Sequence, residues 1–182
     1  MVDLGEIQVA YYMIAATGVL LAAAFYVINI RAQNRNREAQ LFMNIFKDLT
    51  SNEFMRNTHE LMYMEWSDYD DFERKYGSDN NVENYVKRMT TFYWYNGLGL
   101  LLEDKLIDES MVYGALGSSV TIYWEKFKDV LLRGRGLYGP ELWLGFEFLA
   151  DRMAEVRLKK GQVSPPKSAL RYVPDKLPAS SP

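Results

Sequence analysis

Near its N-terminus the chain has a long apolar stretch, VAYYMIAATGVLLAAAFYVI, at residues 9–28. It contains no charged residue, and only Thr17 and Gly18 interrupt its apolar side chains. Because a helix rises about 1.5 Å per residue, a helix of this length covers the roughly 30 Å hydrocarbon core of a bilayer. A surface helix of a soluble protein keeps one polar side, whereas this one has none. The stretch therefore predicts a transmembrane anchor.

A secretory signal peptide is the main alternative for this N-terminal run. Signal peptides begin with basic residues, whereas this chain begins with Asp3 and Glu6, and its apolar run is longer than theirs usually are. Arg31, Arg35 and Arg37 follow the span, and no Lys or Arg precedes it. Because cytoplasmic flanks carry an excess of basic residues, we expect the N-terminus outside the cell membrane and the rest of the chain in the cytoplasm.

The chain as a whole predicts an all-α fold in four parts. Neither Pro nor Gly occurs between Asn29 and Leu49, so we expect one helix from about Ile7 to Leu49. The tail is rich in Pro, Ser and Lys and has no periodic apolar pattern. The predicted parts are a transmembrane anchor at 1–30, a helical stalk at 31–40, a cytoplasmic helical domain at 41–161 and an extended tail at 162–182.

Within the domain, apolar residues at helical spacing predict an irregular bundle of about five or six helices. The longest begins at Val82 and reaches about Lys105, with Val86, Met89 and Phe92 or Tyr93 in its apolar stripe. The other predicted segments are a stripe over 41–49, a helix after Ser51, a short capped helix within 66–77, a brief segment capped by Asp108, a helix from about Val120 that stops at 133–136, and a last helix that opens at Gly139-Pro140.

The composition excludes several chemistries. The chain has 21 basic and 24 acidic residues, which argues against nucleic acid as the main partner. It has no cysteine, so disulfides, thiolate nucleophiles and cysteine-ligated metals are excluded. His59 is its single histidine. We read Met55 and Met62, one turn either side of it, as core-filling residues rather than metal ligands. We expect no metal, no cofactor and no catalytic residues.

Two further patterns resemble ligand-binding motifs without meeting them. The acidic cluster at 68–73 has Phe72 where a calcium loop needs a ligand, so these acids indicate a helix start. Gly97-Leu98-Gly99 lacks the third glycine of a dinucleotide fingerprint and the strand before it. We expect these glycines to let two helices approach closely.

Two sets of residues are candidate binding sites. Arg133 and Arg135 are separated by glycine and precede a predicted helix start, where they would suit a phosphate, a lipid headgroup or an acidic peptide. Ordinary helix C-terminal charge is the alternative for this pair. Ala15, Gly18 and Ala22 leave one side of the span narrow enough for a second transmembrane helix.

Aromatic residues are unusually frequent, at 14% of the chain with thirteen Tyr and four Trp. Such a number exceeds what a small core needs, and amphipathic rings are favoured in protein interfaces and at membrane surfaces. The aromatic residues in question are Trp66, Tyr93, Trp94, Tyr95, Trp124 and Trp143.

Four stretches together carry a resemblance to a known family. They are residues 11–19, the stalk at 31–46, the segment at 66–77, and Trp124-Glu125-Lys126-Phe127. The chain resembles a family of uncharacterised prokaryotic proteins, mostly archaeal, with one N-terminal transmembrane helix and a helical domain of unknown function. The likeness covers most of residues 7–150. It implies the fold and topology above and brings no activity or catalytic residue.

These patterns lead to two hypotheses about function. The first is a non-catalytic, single-pass membrane protein that serves as an accessory or scaffolding subunit through its helical domain. Its partners would be the lipid bilayer and other membrane protein subunits or further copies of itself. The alternative is a membrane-tethered sensor or regulator that binds a small anion or lipid headgroup through Arg133 and Arg135.

Overall fold

The structure, a computed structural model, describes residues 4–162. It confirms the all-α fold, because this range contains seven helices and no strand. The predicted tail at 162–182 lies outside the described residues except for Gln162. The helices are α1 (Leu4–Leu49), α2 (Asn52–Met62), α3 (Tyr69–Tyr76), α4 (Val82–Glu103), α5 (Glu109–Leu116), α6 (Ser119–Tyr138) and α7 (Leu144–Lys159).

Helix α1 is one uninterrupted helix of 46 residues, as the lack of Pro and Gly after the span predicts. Its most apolar 18-residue window has a mean hydropathy of 2.1, and none of that window is buried. By length and hydropathy α1 is able to cross a membrane, and a signal sequence at an N-terminus meets the same criteria.

The chain forms two compact units. The N-terminal unit, residues 1–43, contains the apolar part of α1 and the polar residues after it. The helical unit, residues 44–182, contains the last turns of α1 and helices α2 to α7.

Aromatic rings form the core of the helical unit, where α4, α6 and α7 pack together. Phe92 of α4 lies with its ring centroid 5.1 Å from that of Phe127 in α6 and 6.0 Å from that of Phe146 in α7. Tyr95 stacks on Phe146 at 5.0 Å. Rings of this size remove a large apolar area from water, so this layer is a main source of the unit's stability.

The aromatic residues expected at an interface mostly belong to this core instead. Tyr95, Trp124 and Trp143 are buried, and Trp66 and Trp94 are half-buried. Tyr93 alone of the six is exposed. The prediction that the surplus aromatic residues lie at the surface was therefore wrong for Tyr95, Trp124 and Trp143. The reason is that three helices face one another here, and together they bury more rings than was expected for so small a core.

Helices α4 and α7 touch through glycine, as expected from the Gly97-Leu98-Gly99 pattern. A Cβ atom added to Gly99 would lie 1.7 Å from the carbonyl oxygen of Gly145, and one added to Gly145 would lie 2.4 Å from the carbonyl oxygen of Asn96. Only residues without a side chain allow the two backbones to approach this closely. Gly97 takes no part, since nothing lies within 4 Å of its Cβ position.

Polar caps divide the chain at the predicted places. Ser51, Asp68, Asn81 and Asp108 each accept a hydrogen bond from a backbone N–H in the first turn of the helix that follows. Asp68 caps α3, so the acidic cluster at 68–73 is helix-start charge, as the sequence indicates.

Two predicted boundaries near residue 140 are wrong. Helix α6 does not stop at 133–136 but continues to Tyr138, and α7 begins at Leu144 rather than at Pro140. The physical reason is Trp143, whose backbone takes a left-handed conformation with φ 65° and whose side chain is buried. Its ring lies 5.9 Å from that of Phe92, and this burial offsets the cost of positive φ in a bulky residue.

Candidate functional site

Helix α4 is apolar on two opposite sides. One side faces the core and includes Phe92, Tyr95 and Leu98. The other side is largely in water, although it carries apolar residues at intervals of four, three and four, and one more seven residues further on. We call this set the outer stripe; its members are Val82 (65% exposed), Val86 (54%), Met89 (half-buried), Tyr93 (61%) and Leu100 (46%).

The outer stripe is held in place by the start of α7. The ring of Tyr93 lies 4.8 Å from that of Trp143. Near the other end, the Cβ position of Gly145 lies 3.0 Å from Cγ of Leu100. Leu144, between these two contacts in the sequence, is exposed as well. Rigid elements thus fix the apolar surface along the C-terminal half of α4.

The sequence interpretation missed this surface. It grouped Val86, Met89 and either Phe92 or Tyr93 in one stripe, whereas the structure buries Phe92 and exposes Tyr93. A sequence signal does exist, since Val82, Val86, Met89 and Tyr93 follow one helical line and the residues 88, 91, 95, 98 and 102 follow another. Two lines on one helix predict either a fully buried helix or an unoccupied surface.

Acidic side chains border the outer stripe. Glu103 and Asp104 are exposed at its C-terminal end, and Glu141 is exposed in the turn before Trp143. At the N-terminal end Lys87 forms ion pairs with Glu60 at 2.7 Å and with Glu83 at 2.8 Å. Two carboxylates therefore share this one ammonium group, and the local charge is negative.

A second feature is a buried arginine beneath α3. The guanidinium group of Arg88 lies 4.6 Å from the ring centroid of Phe72, and its Nε donates to the side-chain oxygen of Asn84 at 2.9 Å. The same group donates to the backbone carbonyl of Tyr76 at the end of α3. Burial lowers the pKa of Arg88 to about 10. Arg88 thereby attaches α3 to α4.

Lys126 of α6 is also buried and, like Arg88, links two parts of the helical unit through a backbone carbonyl group. Its Nζ donates to the backbone carbonyl of Met64 at 2.8 Å and lies 5.1 Å from the ring centroid of Trp66. Burial lowers the pKa of Lys126 to about 8, and the charge of Glu65 opposes this shift. The ammonium group thus fastens the connection between α2 and α3 to the bundle.

Arg133 and Arg135 lie in the last turns of α6 and have different surroundings. Nε of Arg135 donates to the carbonyl oxygen of Leu142 at 2.7 Å, and its guanidinium group pairs with Glu147 of α7 at 2.7 Å. Arg133 is exposed and lies 4.4 Å from the ring centroid of Tyr69. Arg135 thus joins α6 to α7, while Arg133 is an exposed residue whose guanidinium group lies against Tyr69.

The chain matches one protein-family model over most of its length. The model described as a domain of unknown function, DUF4760, matches residues 12–153. The chain belongs to this family. No curated protein and no solved structure matches it significantly. The DUF4760 match begins within α1 and ends within α7, so it includes the whole outer stripe and both arginines. This agrees with the resemblance to an uncharacterised family, whose occurrence in archaea stays a prediction.

The DUF4760 match also includes the small residues of the N-terminal unit. Ala15, Gly18 and Ala22 are exposed on neighbouring turns of α1, and nothing lies within 4 Å of the Cβ position of Gly18. Their proposed role in helix pairing stays a prediction.

The single histidine and its neighbours are at the surface of α2. His59 is exposed, and its ring lies 4.7 Å from that of Tyr63. Met55 is exposed as well, so the interpretation of Met55 as a core residue was wrong, whereas Met62 is half-buried. In the part of the chain between residues 4 and 162, no three His, Asp or Glu side chains are grouped to hold a metal ion.

Proposed function

We propose that this DUF4760 protein is a non-catalytic, single-pass membrane protein whose helical unit binds another protein, as an accessory or scaffolding subunit of a membrane assembly. The outer stripe is the observation that carries this proposal. An apolar strip along one helix is costly to leave in water, and contiguous apolar surface on a folded unit is typical of a binding site. The apolar part of α1 supports the membrane location.

The proposed topology places the N-terminus outside and the helical unit in the cytoplasm. Arg31, Arg35 and Arg37 support it, because basic residues next to a span favour the cytoplasmic side and its anionic lipids. All three arginines are exposed on α1.

Co-purification from mild detergent tests the proposal. We expect a second protein to be retained in constant proportion by the intact chain and lost from a Val86→Ser/Tyr93→Ser variant. A Met55→Ser/Leu158→Ser variant is the control, because it removes two equally exposed apolar residues from α2 and α7. Thermal unfolding of both variants verifies that they fold. An intact chain that is strictly monomeric, with no retained protein, contradicts the proposal.

A membrane-tethered sensor is the second candidate function, with Arg133 as the residue that favours it. Arg133 is exposed and contacts only the ring of Tyr69 among the described contacts of its guanidinium group, whereas Arg135 is paired with Glu147. The test is binding to vesicles with and without anionic lipid, and binding of inorganic phosphate. Unchanged binding after Arg133→Ala/Arg135→Ala would rule out this candidate.

A further inference from the structure

We infer, resting on the proposed function, that the outer stripe binds one amphipathic helix of a different polypeptide, with Lys or Arg beside its apolar residues. Both the spacing of the stripe and the charges around it favour such a partner.

The spacing of the outer stripe matches the requirement of a partner helix. Val82, Val86, Met89 and Tyr93 follow each other at intervals of four, three and four residues, which is the pattern of a helix–helix seam. From Val82 to Tyr93 this seam is about 17 Å long at about 1.5 Å per residue, or roughly three helical turns, and Leu100 lies two turns further on the same line, beyond Gly97. A strand or a loop would match only part of such a line.

The charges beside the stripe select a basic partner. Glu103 follows Leu100 on the same side of α4, Asp104 comes next, and Glu141 lies before Trp143; the exposed Lys105 after Asp104 offsets one of these three negative charges. None of these three carboxylates forms an ion pair with another described residue. A helix with Lys or Arg on its flanks would bring opposite charges to them, which favours both encounter and orientation.

The same charges disfavour two other occupants. A second copy of the chain would bring a second set of acidic residues to the same surface, and like charges across an interface weaken it. The cytoplasmic leaflet is anionic, so a bilayer surface would repel this border as well. A basic amphipathic helix of another protein avoids both costs.

Photo-cross-linking in native membranes tests the inference. A photoreactive phenylalanine analogue replaces Val86 or Tyr93 in the full chain, and the same analogue replaces Met55 or Leu158 in the controls. After irradiation, mass spectrometry identifies the cross-linked peptide. We expect Val86 and Tyr93 to capture one peptide from another protein, with apolar residues at intervals of three and four and with flanking Lys or Arg. The control positions should not capture it.

Reversing one charge beside the outer stripe tests separately whether the partner is basic. Glu103→Lys should reduce the cross-link yield at Tyr93 by about three- to fivefold, as expected for the loss of one exposed ion pair and the gain of a repulsion. Asp151→Lys is the matched control, because Asp151 is an exposed acid on α7 close to the acidic Glu125 of α6. It should leave the yield unchanged.

The other outcomes are distinct. Capture of the chain's own α4 identifies a second copy, capture of residues 163–182 identifies its own tail, and capture of lipid identifies the bilayer; each overturns the inference. A captured peptide without basic flanks overturns it too. If a protein co-purifies but cross-links only from Met55 or Leu158, the proposed function stands and this inference fails. If no protein co-purifies or cross-links, both fail.

Discussion

At the scale of single residues, Gly99 and Gly97 differ sharply although they lie two positions apart on α4. Gly99→Ala would place a methyl group against the backbone of Gly145, so the helices must separate. We expect a loss of about 2–3 kcal/mol in the free energy of unfolding. Gly97→Ala meets nothing and should raise stability by about 0.5–1 kcal/mol through helix propensity.

Urea unfolding followed by far-UV circular dichroism, in the same detergent for both variants, measures the difference. Equal effects of the two substitutions would show that α4 and α7 do not cross at Gly99.

The pH dependence of stability is a second prediction at this scale, and it depends on Lys126. Its pKa is about 8 in the folded protein and 10.5 in the unfolded chain, so the unfolded state binds more protons between these values. Stability should therefore rise with pH in that window, by on the order of 1–2 kcal/mol between pH 7 and pH 9.5.

A Lys126→Met variant isolates this contribution. It keeps a long side chain without the charge, so the rise between pH 7 and pH 9.5 should largely disappear. Tyr95 and Tyr123 do not obscure the comparison. Burial raises the pKa of both tyrosines above the usual 10, and both are present in the unchanged chain and in the Lys126→Met variant. A rise of the same size in Lys126→Met would contradict the assignment.

At the scale of elements, the end of α6 gives the clearest test. Gly136 lies within α6 with open space at its Cβ position, whereas Gly139 follows the helix with φ 121°. Gly136→Ala should stabilise the protein by about 0.5 kcal/mol, and Gly139→Ala should destabilise it by about 1 kcal/mol or more. Thermal unfolding of the two variants measures this. Destabilisation by Gly136→Ala would place the helix end where the sequence pattern predicts it.

The sequence predicts much of the element order because periodicity and caps act locally. Asp68 and Asp108 were predicted at helix starts, and α1 was predicted as one helix. The end of α6 was not predictable in this way. Two glycines favour a stop, but the contact of Arg135 with Glu147 and the burial of Trp143 are tertiary interactions that extend the helix.

The outer stripe shows the same limit for the candidate site. Helical spacing places Val86 and Tyr93 on one line, but it does not say whether that line faces the core or water. The answer depends on where α7 packs, and Gly145 and Trp143 decide this from more than forty residues away in the sequence. The sequence pattern marks Arg133 and Arg135 as candidate binding residues, but it does not predict that Arg135 forms an ion pair with Glu147.

At the scale of the whole molecule, the proposed topology makes a direct prediction. The chain has no cysteine, so one introduced cysteine is a unique label site. Glu6→Cys lies before the apolar stretch and Ser78→Cys lies in the helical unit. A membrane-impermeant maleimide should label Glu6→Cys in intact cells and Ser78→Cys only after the cells are opened.

The reverse pattern would invert the topology. Loss of residue 6 from the mature protein, seen by N-terminal sequencing, would identify a cleaved signal sequence instead of an anchor.

The distribution of tryptophan has a practical consequence. All four tryptophans lie within residues 44–182, and Trp124 and Trp143 are buried among other aromatic rings of the core. Indole fluorescence of the intact chain therefore originates only in the helical unit, even when α1 is in lipid. A shift of its emission on adding a binding protein would be an optical signal from the helical unit, obtained without any attached dye.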